Sequence, residues 1–121
     1  MKTFLSKSFL FICLLFFACH DDEKGIPQSK ETIAVTLKNT ETHNQDFGLM
    51  GIEDGATTIT TPKHSEVSTI SRNIENHLIY SYKSSAGFKG TDKVQIEICR
   101  SPGDASCYAK ELKTINFTIT D

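Results

Sequence analysis

Cysteine, histidine, carboxylate and serine are the residue types here that could do chemistry, and their spacing decides which. The chain holds four cysteines among 121 residues, Cys13, Cys19, Cys99 and Cys107. Cys19 closes a greasy run in FFACHDDEKG, residues 16–25, where polar and acidic residues follow at once. Its type and place allow a structural thiol, a nucleophile or a chemically altered side chain. His43, His64 and His77 form neither an HxH nor an HExxH arrangement, so their spacing builds no metal site by itself. They would have to converge through the fold, and exposed loop or edge histidines are the simpler reading. Asp46, Glu53, Asp54, Asp92 and Asp104 fall in expected loops, where carboxylates can gather calcium. No DxDxDG spacing supports that. Glu53 and Asp54 are adjacent, which in a strand would send them to opposite faces, and a solvated turn explains them. There is no GxSxG elbow and no GxGxxG phosphate loop. No constellation meets the geometric needs of an active site, so we expect no enzyme, no cofactor and no metal.

The elements that must position these residues read as strands. ETIAVTLK alternates, with Ile33, Val35 and Leu37 on one face. NTETHNQD reads as a polar loop, FGLMGI as a weak strand broken by Gly48 and Gly51, and EDG as a turn. ATTITT and EVSTIS are β-branched strands. RNIEN is a turn. HLIYSYK puts Leu78, Tyr80 and Tyr82 on one face, KVQIEICR does the same with Val94, Ile96 and Ile98, and TINFTIT with Ile115, Phe117 and Ile119. SSAGFKGTD and SPGDAS connect them. No segment sustains a helical period, and no repeat is present. About seven short strands with turn signals between them predict an all-β antiparallel sandwich.

The N-terminus has its own character. Lys2 and Lys7 precede an apolar stretch from Phe9 to Ala18, too short to cross a bilayer, which needs roughly 20 apolar residues. Small Ala18 precedes Cys19. This resembles a bacterial lipoprotein signal peptide, with Phe16 and Phe17 in the two positions before the alanine. The resemblance implies cleavage before Cys19 and acylation of its sulfur. The run His20, Asp21, Asp22, Glu23 is similar to the acidic export tag of surface lipoproteins in the Bacteroidetes. It implies an outer-membrane, surface-exposed location. Residues 1–18 would then be the signal peptide, 19–31 the lipidated cysteine and its flexible acidic tether, and 32–121 a single domain. Removal of Lys2 and Lys7 shifts the formal charge from −2 to −4. That balance excludes a nucleic-acid partner, which needs a basic stripe, and peripheral binding to anionic lipid. With Cys13 removed and Cys19 acylated, Cys99 and Cys107 remain as a pair. In an exported protein such a pair reads as a disulfide.

Residues 78–120 carry a Tyr-rich strand, then Gly87-Phe88-Lys89-Gly90-Thr91-Asp92, an alternating strand, a turn and a final Ile/Thr strand. This resembles the C-terminal half of bacterial immunoglobulin-like or cadherin-like surface domains, including the cysteine at each side of the turn. The resemblance implies an immunoglobulin-like sandwich in which Phe88 is buried under an edge, Gly90 takes backbone angles closed to a side chain, and Asp92 accepts backbone N–H bonds. If Cys99 lay directly opposite Cys107, even-numbered residues of the last strand would point inward, yet Ile115, Phe117 and Ile119 are odd. That parity conflict predicts a β-bulge near residues 110–114. The function expected is non-catalytic: binding or adhesion to a protein or glycan, or an accessory role, by a lipid-anchored envelope module. The alternative is a small lipoprotein inhibitor of a hydrolase, using a projecting Lys63-His64-Ser65 or Arg100-Ser101. A calcium- or metal-binding envelope protein is a further alternative.

Overall fold

The computed structural model describes residues 25–104 and 106–121. The expected signal peptide, Cys19 and the run Asp21, Asp22, Glu23 lie outside the described residues. Seven strands form: β1 (Gln28–Lys38), β2 (Thr42–Leu49), β3 (Gly55–Thr60), β4 (Ser65–Arg72), β5 (His77–Ser84), β6 (Gly90–Arg100) and β7 (Ala109–Thr120). One sheet has the order β1-β7-β6-β3 and the other β2-β5-β4. If β2 to β7 take the immunoglobulin strand letters B to G, these are the C-F-G and B-E-D sheets of that fold, with β1 added in parallel alongside β7.

The alternating strands supply the core. Leu78, Tyr80 and Tyr82 of β5 meet Val94, Ile96 and Ile98 of β6 and Ile115, Phe117 and Ile119 of β7, with Leu37 of β1 and Met50 closing the ends. The Tyr82 and Phe117 rings stack at 3.9 Å between centroids across the two sheets. A period of two serves such a sandwich because one face of each strand is buried and the other is wet.

Four expectations need correction. Residues 42–46 of the expected polar loop belong to β2, which pairs with β5 from Thr42↔Lys83 to Asp46↔Ile79. β2 is an edge strand, so ladder hydrogen bonds from one neighbour suffice and polar side chains are tolerated on it. Of the weak strand at FGLMGI, only residues 47–49 are in β2; residues 50–52 enter the next turn. β1 opens at Gln28 rather than near Thr32, because parallel pairing with β7 runs the whole way from Gln28↔Lys110 and needs no apolar alternation. The predicted bulge at 110–114 is absent. β6 and β7 pair without a break from Gly90↔Ile119 to Arg100↔Ala109. Cys99 faces Lys110, and Cys107 lies in the loop before β7. The loop absorbs the odd residue, so the parity conflict never reaches the strand. The two cysteines are joined, with Cα atoms 5.5 Å apart.

Candidate functional site

Three connections share one end of the sandwich: β2–β3 (residues 50–54), β4–β5 (73–76) and β6–β7 (101–108). The first two are built alike. In Gly51-Ile52-Glu53-Asp54 the Asp54 N–H donates to the Gly51 carbonyl at 3.3 Å, and in Asn73-Ile74-Glu75-Asn76 the Asn76 N–H donates to the Asn73 carbonyl at 3.0 Å. Each is a four-residue β-turn. The Asn73 side chain accepts the Glu75 and His77 N–H groups, and Asn76 takes the left-handed φ of 61° that asparagine tolerates. Both turns place an isoleucine at their second position, and both side chains stand in solvent: Ile52 is 89% and Ile74 101% exposed. Turn chemistry favours Pro or a polar residue there, not isoleucine. Leu49 and Tyr108 are exposed at the same end.

These projections sit on a braced platform. Asp54 is the centre of it. Its carboxylate accepts the Gly51 N–H at 2.8 Å, the Ser101 N–H at 2.8 Å and an Arg100 Nη1–H at 3.0 Å. One side chain therefore ties its own turn to the β6–β7 connection. Burial pushes the Asp54 carboxyl up, but the Ser101 and Gly51 N–H groups and the Arg100 guanidinium together outweigh it and hold it below the usual carboxylate range. Arg100 also donates to the Leu49 carbonyl and pairs with Glu111. Arg72 donates to the Gly51 and Asp54 carbonyls at 2.9 and 2.6 Å, and the Met50 N–H donates to the Asn76 carbonyl. These bonds clamp the two isoleucine turns side by side. The Cys99–Cys107 bridge holds the third connection.

The opposite end is a structural knot. Asp92 is buried and accepts the Lys63, His64 and Lys93 N–H groups and the Tyr82 hydroxyl. Burial, then the hydrogen bond to Asp92, pushes the Tyr82 phenol up. Phe88 is half-buried against the core, with the His64 ring stacked on it at 4.0 Å. Gly90 adopts a φ of 134°, and a Cβ there would meet the Phe88 ring at 3.4 Å. A hollow of about 430 Å³ beside Asp92 is lined by Thr60, Thr61, Lys63, Lys93, Asn116 and Thr118. Its one carboxylate is already committed to four donors.

The histidines do not converge. His43 meets Gln45 and the edge of Phe117, His64 lies at the knot, and His77 pairs with Asp46 at 2.9 Å by the loop end. Among the described residues no group of three or more His, Cys, Asp or Glu side chains is placed to hold a metal ion. Asp104 bonds Ser106 within its own turn. Arg100, a candidate projecting residue, is turned inward, whereas Lys63 and His64 are exposed, with one face of the His64 ring against Phe88. Sequence reasoning missed Ile52 and Ile74. Their signal was legible as the parallel tetrapeptides GIED and NIEN, an apolar residue set inside turn chemistry.

No family model and no curated protein matches this chain. Among solved structures, a cysteine protease inhibitor from Entamoeba histolytica is similar over 77% of this chain and 97% of its own, at 8% identity and a TM-score of 0.49.

Proposed function

We propose that this protein is a non-catalytic, lipid-anchored envelope module that binds a protein partner through the loop end built by residues 49–54, 72–77 and 100–108. The observation that carries the reading is the pair of fully presented isoleucines on turns braced by Asp54, Arg72 and Arg100. An isoleucine side chain contributes about 1.5–3 kcal/mol when fully buried, and a braced turn loses little entropy on docking. Scattered exposed apolar residues need no explanation, but two presented by neighbouring turns of one rigid platform suit an interaction site. Glu53 and Glu75 follow the isoleucines and form a polar rim.

The test uses detergent-solubilised envelopes of cells making the full chain. The wild type is expected to migrate in a complex larger than the monomer. The Ile52→Ser/Ile74→Ser variant is expected to migrate as monomer with unchanged thermal stability. Ala86→Asp, at the opposite end, is expected to behave like the wild type. Equal migration of all three proteins overturns the loop end as the binding surface.

A further inference from the structure

β1 begins at the loop end. Gln28 pairs with Lys110, beside the β6–β7 connection, and the Pro27 carbonyl accepts the Lys110 N–H at 2.8 Å. The chain therefore leaves toward Cys19 from the same end that presents Ile52 and Ile74. Eight residues, 20–27, separate Cys19 from β1. Fully extended, that segment reaches at most about 30 Å, the diameter of one small domain.

We propose that the loop end faces the membrane that carries the anchor, and that its partner is a protein held in that same membrane presenting an apolar recess rimmed by Lys or Arg. The inference rests on the anchored-binder reading above. A tether this short, leaving from the binding end, keeps that end close to the bilayer and turns the knot at Asp92 outward. A partner on another cell or free in solution would have to enter the gap between the domain and its own membrane. A partner already in the membrane meets the loop end at high effective concentration. Charge separates a protein from the bilayer as occupant. Glu53, Glu75 and Asp104 are exposed around the isoleucines. The Arg100 charge is paired with Asp54 and Glu111, while Arg72, which donates only to the Gly51 and Asp54 carbonyls, keeps its own, and the tether adds that of Lys24. With Asp21, Asp22 and Glu23 in the tether, six carboxylates outnumber those two cations, so this end is net acidic and is repelled by anionic lipid, whereas a basic-rimmed recess complements it.

The full chain carries a photo-reactive residue at position 52, 74 or 86 and is irradiated in intact cells. Those cells are mixed beforehand with cells of the same strain grown on heavy isotopes. The expected result is a protein adduct from positions 52 and 74 and none from 86. The adducted partner is an integral membrane protein with light isotopes, hence from the same cell, and the yield falls at least about tenfold with Glu53→Lys/Glu75→Lys. A position-specific adduct bearing heavy isotopes, an adduct with lipid, or a yield indifferent to the charge reversal overturns this inference alone. Equal labelling from position 86, no adduct from 52 and 74, or a wild-type chain that takes up no labelled fatty acid at Cys19 overturns the anchored-binder reading beneath it.

Discussion

Replacing Asp54 with alanine removes the acceptor of three donors at once: the Gly51 N–H, the Ser101 N–H and the Arg100 guanidinium. The Asp54 side chain is 9% exposed and that of Arg100 23%, so water replaces the lost carboxylate only in part. A hydrogen bond to a charged group contributes about 1.5–3 kcal/mol, and a neutral one about 1. Arg100 keeps Glu111 and the Leu49 carbonyl, so no guanidinium is orphaned, and water that partly replaces the carboxylate brings each bond down to about the neutral figure. Three bonds at about 1 kcal/mol each give about 3 kcal/mol. For a domain of this size that is a fall in Tm of about 12–24 °C. Calorimetry with the disulfide intact reads the total. Amide exchange reads its place: the Gly51 and Ser101 amides speed up, while those of β6 and β7 that exchange only by global unfolding change by the global amount. A loss below about 0.5 kcal/mol, within the range of ordinary surface substitutions, with unaltered exchange at Gly51 and Ser101, refutes the account of Asp54 as the brace.

Acidification weakens the same brace by titration. The Asp54 carboxyl is depressed in the folded state, so its contribution is present above the ordinary carboxylate value. It disappears as pH falls through the depressed one, and Asp54→Asn flattens that limb of the stability–pH curve. His77 has the opposite sign: its hydrogen bond to Asp46 raises it, so the pair stabilises at pH 6 and weakens as pH rises through the raised value. Proton NMR of Asp46→Asn is expected to show the His77 titration moving back down. Cys99→Ser/Cys107→Ser opens a nine-residue loop and costs about 2.5 kcal/mol by the chain-entropy relation, measured by urea unfolding. Asp92→Ala strips the acceptor from three backbone N–H groups and Tyr82. It is expected to cost about 3 kcal/mol or more, exceeding Tyr82→Phe in the same assay.

Periodicity carried the fold a long way. β5, β6 and β7 are legible because each is buried on one face only, and that condition writes itself as alternation in Leu78, Tyr80 and Tyr82 or in Ile115, Phe117 and Ile119. β2 was not legible, because an edge strand bonded on one side can carry HNQD without loss. The register of β6 on β7 was beyond the sequence too. A disulfide can join a strand residue to a loop residue, so cysteine spacing does not fix which residues face each other.

The candidate site divides in the same way. The sequence alone determined that two turn tetrapeptides, GIED and NIEN, each hold an isoleucine, and that the chain has no spacing suited to catalysis. Tertiary structure alone decided that those turns, 22 residues apart in the chain, stand side by side at the end where β1 begins. Turn formation is a local matter of a few dihedrals and one hydrogen bond, so it shows in four residues. Adjacency depends on which strands pair, and that is set by how the whole core packs. The bonds that brace the site, from Arg72 to Gly51 and from Asp54 to Ser101, exist only once that packing is complete.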